Sequence, residues 1–215
     1  DDIVEEIKEL ESRRPTVESG IISIDEANNY LEYGEDAVIV NASAFSVKEL
    51  YARHSTNLLS RNLRYYIRKR DIDASINDTI QHDPEQFWFR NNGITIVCDS
   101  FRVDGKEVHL KDFSIVNGGQ TTTLIHKSKE ITREKDLFLP CKIIKAMGED
   151  VDEKNSFILD IAKATNSQKP IKQIDLKANA PEQVRFSNSM REVGIFYQTK
   201  RGETVPKAFK DCYRN

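Results

Sequence analysis

A strand-like run, Phe113-Ser114-Ile115-Val116, leads through Asn117 into Gly118-Gly119 and on to Gln120-Thr121-Thr122-Thr123. These residue types in this order suit the holding of an anion. Phe113, Ile115 and Val116 have the bias of a buried sheet element, and the paired glycines allow backbone angles that other residues avoid. A helix starting there would offer its first-turn amides and the positive end of its dipole to a phosphate or carboxylate. Gln120 and Thr121 to Thr123 would add side-chain donors. No lysine stands where a Walker P-loop carries one. The same glycine turn also serves as a plain connector between strand and helix.

Two further polar clusters could join this element. Arg90-Asn91-Asn92-Gly93 directly precedes Ile94-Thr95-Ile96-Val97-Cys98, a strongly β-branched strand, although Asn-Gly pairs also mark turns that need left-handed backbone. If the strand beginning at Ile94 neighbours the strand ending at Val116, their polar ends converge, and ligands favour such strand ends in α/β sheets. The expectation is one pocket lined by Arg90, Asn91, Asn92, Asn117, Gln120 and Thr121. Asn166-Ser167-Gln168-Lys169-Pro170 reads as a polar loop, with Lys169 forced out of helical geometry by the proline. Ordinary connectors share that composition. Asn166 and Gln168 are the candidates for contact with base edges or sugar hydroxyls.

The stretch from Arg61 to Arg70 interleaves cations with Tyr65 and Tyr66, as nucleic-acid binders do when cations meet phosphates and aromatics stack on bases. Helical spacing would put Arg61, Arg64 and Arg68 on one face; a solvated helix with tyrosines in the core is the alternative. Asp99, Asp104, Lys106, Glu107 and Lys111 offer the acids and lysine of a metal-dependent nuclease, but Asp104-Gly105 is better explained as a hairpin turn. Magnesium needs several converging oxygens, and no such convergence is legible. His54, His82, His109 and His126 form no metal pair or triad. No cysteine has an activating neighbour.

The elements that must position these residues read as an α/β fold, in the α+β sense, with a mixed β-sheet flanked by helices. Ile3, Ile7 and Leu10 have helical spacing before Pro15. Gly20 to Ile24 is a strand, and Asp25 is expected to cap a helix carrying Ala27, Tyr30 and Leu31. Ala37 to Val40 is a buried strand, Ser46 begins a helix through Tyr51, and Asp73 to Gln81 is another helix. Asp104-Gly105 is expected to turn a hairpin between Phe101-Arg102-Val103 and Glu107-Val108-His109-Leu110. A helix from about Gln120 to Lys129, a strand over Leu137 to Ile144, and a helix through Phe157, Ile158, Ile161 and Ala162 follow. A last helix has Val184, Phe186, Met190 and Val193 on its apolar side. Residues 1–35 are read as an appendage and 36–215 as the main domain.

With 215 residues and a net charge of -3, the chain can bury one ordinary core, and it lacks a globally basic nucleic-acid coat. No run is long and apolar enough to span a membrane. Cys98, Cys141 and Cys212 are far apart and odd in number, which favours a reducing, cytoplasmic setting. The opening Asp1-Asp2 is read as the start of a fragment from a longer protein.

Three segments, Phe87-Trp88-Phe89-Arg90-Asn91-Asn92-Gly93-Ile94-Thr95-Ile96, Ile115-Val116-Asn117-Gly118-Gly119-Gln120-Thr121-Thr122 and Ala164-Thr165-Asn166-Ser167-Gln168-Lys169-Pro170-Ile171, together resemble the abortive-infection phage-resistance (AIPR) family. Their order also matches. Asn62-Leu63-Arg64 and Asn77-Asp78-Thr79-Ile80 are similar to its upstream elements, so the resemblance covers roughly Ala37 to Gly202. It implies a bacterial anti-phage defence protein. The Val116-Asn117-Gly118-Gly119-Gln120 element is also similar to the DGQQR or DGQHR box of ParB-like proteins, where it helps bind nucleotide phosphate; that likeness implies a ParB/sulfiredoxin-like core. Asn117 and Thr121 replace the acid and arginine of that box, which favours binding over hydrolysis.

The functional expectation is a sensing module that binds a nucleotide or nucleic-acid phosphate and conveys that state to regions outside the fragment, with Arg64, Arg90, Asn91, Asn92, Asn117, Gly118, Gly119, Gln120, Thr121, Asn166 and Gln168 as ligand-binding residues. Oligomers are open. The alternatives are a nucleotide-triggered nuclease or phosphohydrolase, with a nucleotide or Mg2+ as cofactor and Arg90 or Arg64 stabilising developing charge, and a protein-interaction scaffold whose asparagines only cap turns.

Overall fold

The computed structural model describes residues 16–62, 70–166, 181–197 and 209. The chain divides into two compact units, 1–167 and 168–215. In the first unit the strands are β1 Val17–Ser23, β2 Tyr30–Tyr33, β3 Ala37–Ser43, β4 Ile94–Cys98, β5 Ser100–Asp104, β6 Glu107–Asn117 and β7 Phe138–Lys145. Its helices are α1 Ala44–His54, α2 Arg70–His82, α3 Phe87–Arg90, α4 Gly119–Lys127 and α5 Val151–Asn166; the second unit contributes α6 Pro181–Glu192.

All seven strands form one mixed sheet in the order β1-β6-β4-β7-β3-β2, with β5 also paired to β6. Only β4 and β7 run parallel, Ile94 opposite Cys141 and Cys98 opposite Lys145. An antiparallel bridge from Ile24 to Ala42 brings the continuation of β1 onto β3, so the sheet curls toward closure. The expected α+β class with a mixed sheet is the observed one. Segment 1–35, read as an appendage, supplies β1 and β2 to this sheet.

The continuous β-branched pattern of β4 reflects burial on both faces. Ile94, Ile96 and Cys98 enter the main core beside Phe113, Ile115 and Phe87. Val97 turns the other way and packs with Val116, Ala146, Ile158 and Ala162, which places α5 over the opposite face of β4 and β6. Leu110 and Val108 alternate inward along β6, which runs unbroken from the hairpin to the glycine turn.

Several local expectations shift. Asp25 caps no helix: its carboxylate accepts from the Glu26 amide at 2.8 Å and from Asn29 and Asn41 Nδ2 at 2.8 and 2.9 Å. That is a turn, the usual competitor of a cap for a short acidic side chain, and Tyr30 and Leu31 fall in edge strand β2. The α1 helix starts before Ser46, because Ser43 is its N-cap and accepts from the Ser46 amide at 3.0 Å. In the hairpin Asp104 pairs with Glu107, so the two turn residues are Gly105-Lys106, with Gly105 at φ +60°. In the second unit, Phe186 of the expected apolar side is 44 % exposed and meets Tyr197 edge to face at 4.9 Å. Val193 lies beyond the end of α6 and is exposed, whereas Ser187 is buried.

Candidate functional site

The strands beginning at Ile94 and ending at Asn117 are neighbours, with Thr95 opposite Asn117 and Ile96 opposite Ile115. Val116 is the extra residue of a bulge between those pairs. This register brings the turn Asn91-Asn92-Gly93 against the turn Asn117-Gly118. Gly118 takes φ +91°, and a Cβ on it would lie 2.6 Å from Ile94 Cγ2 and 2.8 Å from the Gly93 carbonyl oxygen. Gly93 takes φ +76°, and its Cβ would lie 2.0 Å from the Pro140 carbonyl oxygen. Both glycines are therefore demanded twice, by backbone angle and by the close approach of a neighbouring main chain.

Carboxamides lock these turns. Asn91 Oδ1 accepts from the Gly93 amide at 2.8 Å, and its Nδ2 donates to Thr121 Oγ1 at 3.3 Å. Asn117 Oδ1 accepts from the Gly118 amide at 2.8 Å, and its Nδ2 donates to the Thr165 carbonyl at 3.3 Å. The third motif thus reaches the same place through the last turn of α5. The first helical bond of α4 runs from the Thr122 amide to the Gly118 carbonyl at 2.9 Å. Amides of Gly119, Gln120 and Thr121 precede it and have no carbonyl one turn back in the helix. Helix geometry aims such amides, and the dipole, at whatever sits before Gly119.

Of the expected site residues, the structure brings together Asn91, Asn117, Gly118, Gly119 and Thr121. Their side chains face the protein rather than an open site. Thr122 and Thr123 hydroxyls donate back to the Gly118 and Gly119 carbonyls, and Gln120 Nε2 donates to Asp73 of α2. Arg90 points to Asp83, 3.0 Å away, in an exposed pair. Asn92 is exposed. Asn166 ends α5, so the helix extends into the expected loop. Arg64 and Gln168, with the remainder of the basic stretch from residue 63 to 69, lie outside the described residues.

Upstream, the chain is fastened to the back of the site. Asn62 Nδ2 donates to the Ile115 carbonyl at 3.3 Å, and Ser114 Oγ bridges the Arg61 amide and the Leu58 carbonyl. Burial lowers the affinity of the Arg61 guanidinium for its proton, and nearby Asp112 opposes that effect. Burial pushes the Cys98 thiol up to about 12 and raises Cys141 as well, so neither is an activated nucleophile. Among the described residues no group of three acidic, histidine or cysteine side chains could hold a metal. The acids and lysine of the nuclease alternative are engaged in ion pairs, Asp99 with Lys154, Asp104 with Arg102 and Lys106 with Glu26. No helix among the described residues is long and apolar enough to cross a membrane.

Two participants escaped the sequence reading. Asp73 holds Gln120 from a helix some 47 residues upstream. Trp88 leaves the core, donating its indole Nε1 to Asn41 Oδ1 at 2.8 Å. Nothing in the local pattern of either residue signals a partner so distant in the chain.

No curated protein and no solved structure matches the chain, and no comparison supports the ParB-like likeness. The family model for the AIPR protein matches residues 59–214, a span that includes the three motif segments meeting around Gly118. With most of its length under that match, the chain belongs to the AIPR family, the abortive-infection phage-resistance family.

Proposed function

We propose that the chain is a non-catalytic sensing module in abortive-infection defence against phage, taking the phosphate of a nucleotide or nucleic acid at the N-terminus of α4. Family membership supports the defence role. One observation carries the choice of ligand: three motif segments meet at the Asn117-Gly118 turn, where the Asn91 and Asn117 carboxamides bond the Gly93 and Gly118 amides, the Thr121 hydroxyl and the Thr165 carbonyl in front of α4. In this reading the asparagines preorganise the site and the main-chain amides of Gly119, Gln120 and Thr121 contact the anion.

A scaffold role is the second reading, favoured by the same carboxamides bonding the protein's own backbone and the Thr121 hydroxyl. Calorimetric titration with pyrophosphate, ATP and short RNA and DNA strands, with and without Mg2+, separates the readings. The sensor binds without hydrolysing its ligand. Asn92→Asp, an exposed change, weakens binding about fivefold through a like charge worth roughly 1 kcal/mol. Hydrolysis would replace the sensor with an enzyme, and absence of binding to every anion would leave the scaffold.

A further inference from the structure

Trp88 and Phe89 are an unexplained expense. The third aromatic of α3, Phe87, is 2 % exposed and fills the core, yet Trp88 is 44 % and Phe89 72 % exposed. Their rings meet edge to face with centroids 5.3 Å apart, and the indole is held by a hydrogen-bond relay. Asp25 Oδ2 accepts from Asn41 Nδ2 at 2.9 Å, and Asn41 Oδ1 accepts from Trp88 Nε1 at 2.8 Å. A relay across three separate elements therefore orients an aromatic side chain whose surface remains in water.

The location of that pair gives it a use. Asn41 of β3 is opposite Pro140 of β7, and Pro140 is the residue whose carbonyl lies against Gly93, itself against Gly118. The indole thus stands at the same end of the sheet as the α4 N-terminus. Lys142, exposed and next along the outward face of β7 after Pro140, supplies positive charge on this flank, while Arg90 beside Phe89 is paired with Asp83. An oriented aromatic pair at the same end of the sheet as phosphate-directed amides offers surfaces for the two halves of a nucleotide unit, a planar base and its phosphate.

We propose that Trp88, with Phe89 at its edge, is a stacking platform for the nucleobase of the ligand whose phosphate sits at α4. The inference rests on the phosphate reading above and adds the base as the recognised group. Because Trp88 is the only tryptophan in the chain, its emission reports on the platform directly. The experiment titrates the full chain with inorganic phosphate, ribose 5-phosphate, AMP and oligo(A), reading Trp88 fluorescence and calorimetric affinity together. Base-bearing ligands are expected to quench Trp88 and to bind roughly tenfold tighter than ribose 5-phosphate, within the range of one stacked base. Trp88→Leu and Asn41→Ala should remove that factor while leaving the affinity for ribose 5-phosphate unchanged; AMP against oligo(A) distinguishes a free nucleotide from a strand.

Equal affinity for AMP and ribose 5-phosphate, with Trp88 emission unmoved, would overturn the platform and leave the phosphate reading intact. Failure of all four ligands to bind would overturn both. A shift of Trp88 emission with protein concentration alone would mark a second copy on this face and would likewise overturn the platform.

Discussion

Alanine at Gly93 meets two obstacles that other glycines of this chain let one separate. The first is conformational: φ is +76°, a region where an L side chain costs about 1 kcal/mol. The second is steric. The new Cβ would lie 2.0 Å from the Pro140 carbonyl oxygen and 2.9 Å from its carbonyl carbon, so the turn and β7 must part by at least about 1 Å. Both colliding atoms are main chain and cannot rotate away. Parting them loosens the start of the parallel β4–β7 ladder at Ile94 and Cys141, and roughly two ladder hydrogen bonds at about 1 kcal/mol each are at stake. The total is about 3 kcal/mol, a large share of a domain's usual stability. Gly105→Ala is the control, since Gly105 has φ +60° and nothing within 4 Å of its Cβ; it should cost only the conformational ~1 kcal/mol. Urea denaturation followed by circular dichroism measures both. If the two variants fall within about 0.5 kcal/mol of each other, the close approach of Gly93 to β7 contributes nothing and the reasoning fails.

Two further outcomes follow from the same geometry. Asn117→Ala removes the acceptor of the Gly118 amide and the donor to the Thr165 carbonyl; it should cost roughly 1–3 kcal/mol and speed amide exchange at Gly118 and in the last turn of α5, as hydrogen-exchange mass spectrometry would show. Unchanged exchange at both places would disprove the lock. Cys98, raised from 9.0 to about 12 because burial disfavours its thiolate, should resist iodoacetamide at pH 8 in the folded chain and react once urea unfolds it. The sign for stability follows from the raised value: folding favours the neutral thiol, so the contribution is full below about pH 9 and declines as pH rises from there toward 12.

How far the sequence foretold this arrangement depends on the range of the interactions concerned. β4 was legible because burial on both faces leaves an unbroken β-branched run, and the start of α4 because Gly118 must take φ +91°. Asp25 closes a turn where its local sequence predicts a cap, because a short carboxylate can do either with equal local merit; the deciding partner, Asn41, lies 16 residues away. The site shows the same division. That the 91–93 and 117–118 turns adjoin could be reasoned from two neighbouring strands, whereas the arrival of the third motif depends on a main-chain carbonyl at Thr165, and a carbonyl has no signature in sequence. Nor can sequence tell a carboxamide that faces a ligand from one that faces its own backbone. Asn91 and Asn117 proved to be the second kind.

This changes what the glycines of the motifs are for. Gly118 has no side chain because Ile94 and the Gly93 carbonyl occupy that space, and Gly93 has none because the Pro140 carbonyl does. Three main-chain segments, from β6, the turn before β4, and β7, are thereby stacked in direct contact at one end of the sheet. Close packing of this kind leaves little free volume between the segments. Pro140, Gly93 and Gly118 thus lie in one stack that ends at the first amides of α4. The same Pro140 is opposite Asn41, which holds Trp88. The proposed base platform and the start of α4 are thus joined through one contiguous row of main-chain contacts, Asn41 opposite Pro140, Pro140 against Gly93 and Gly93 against Gly118.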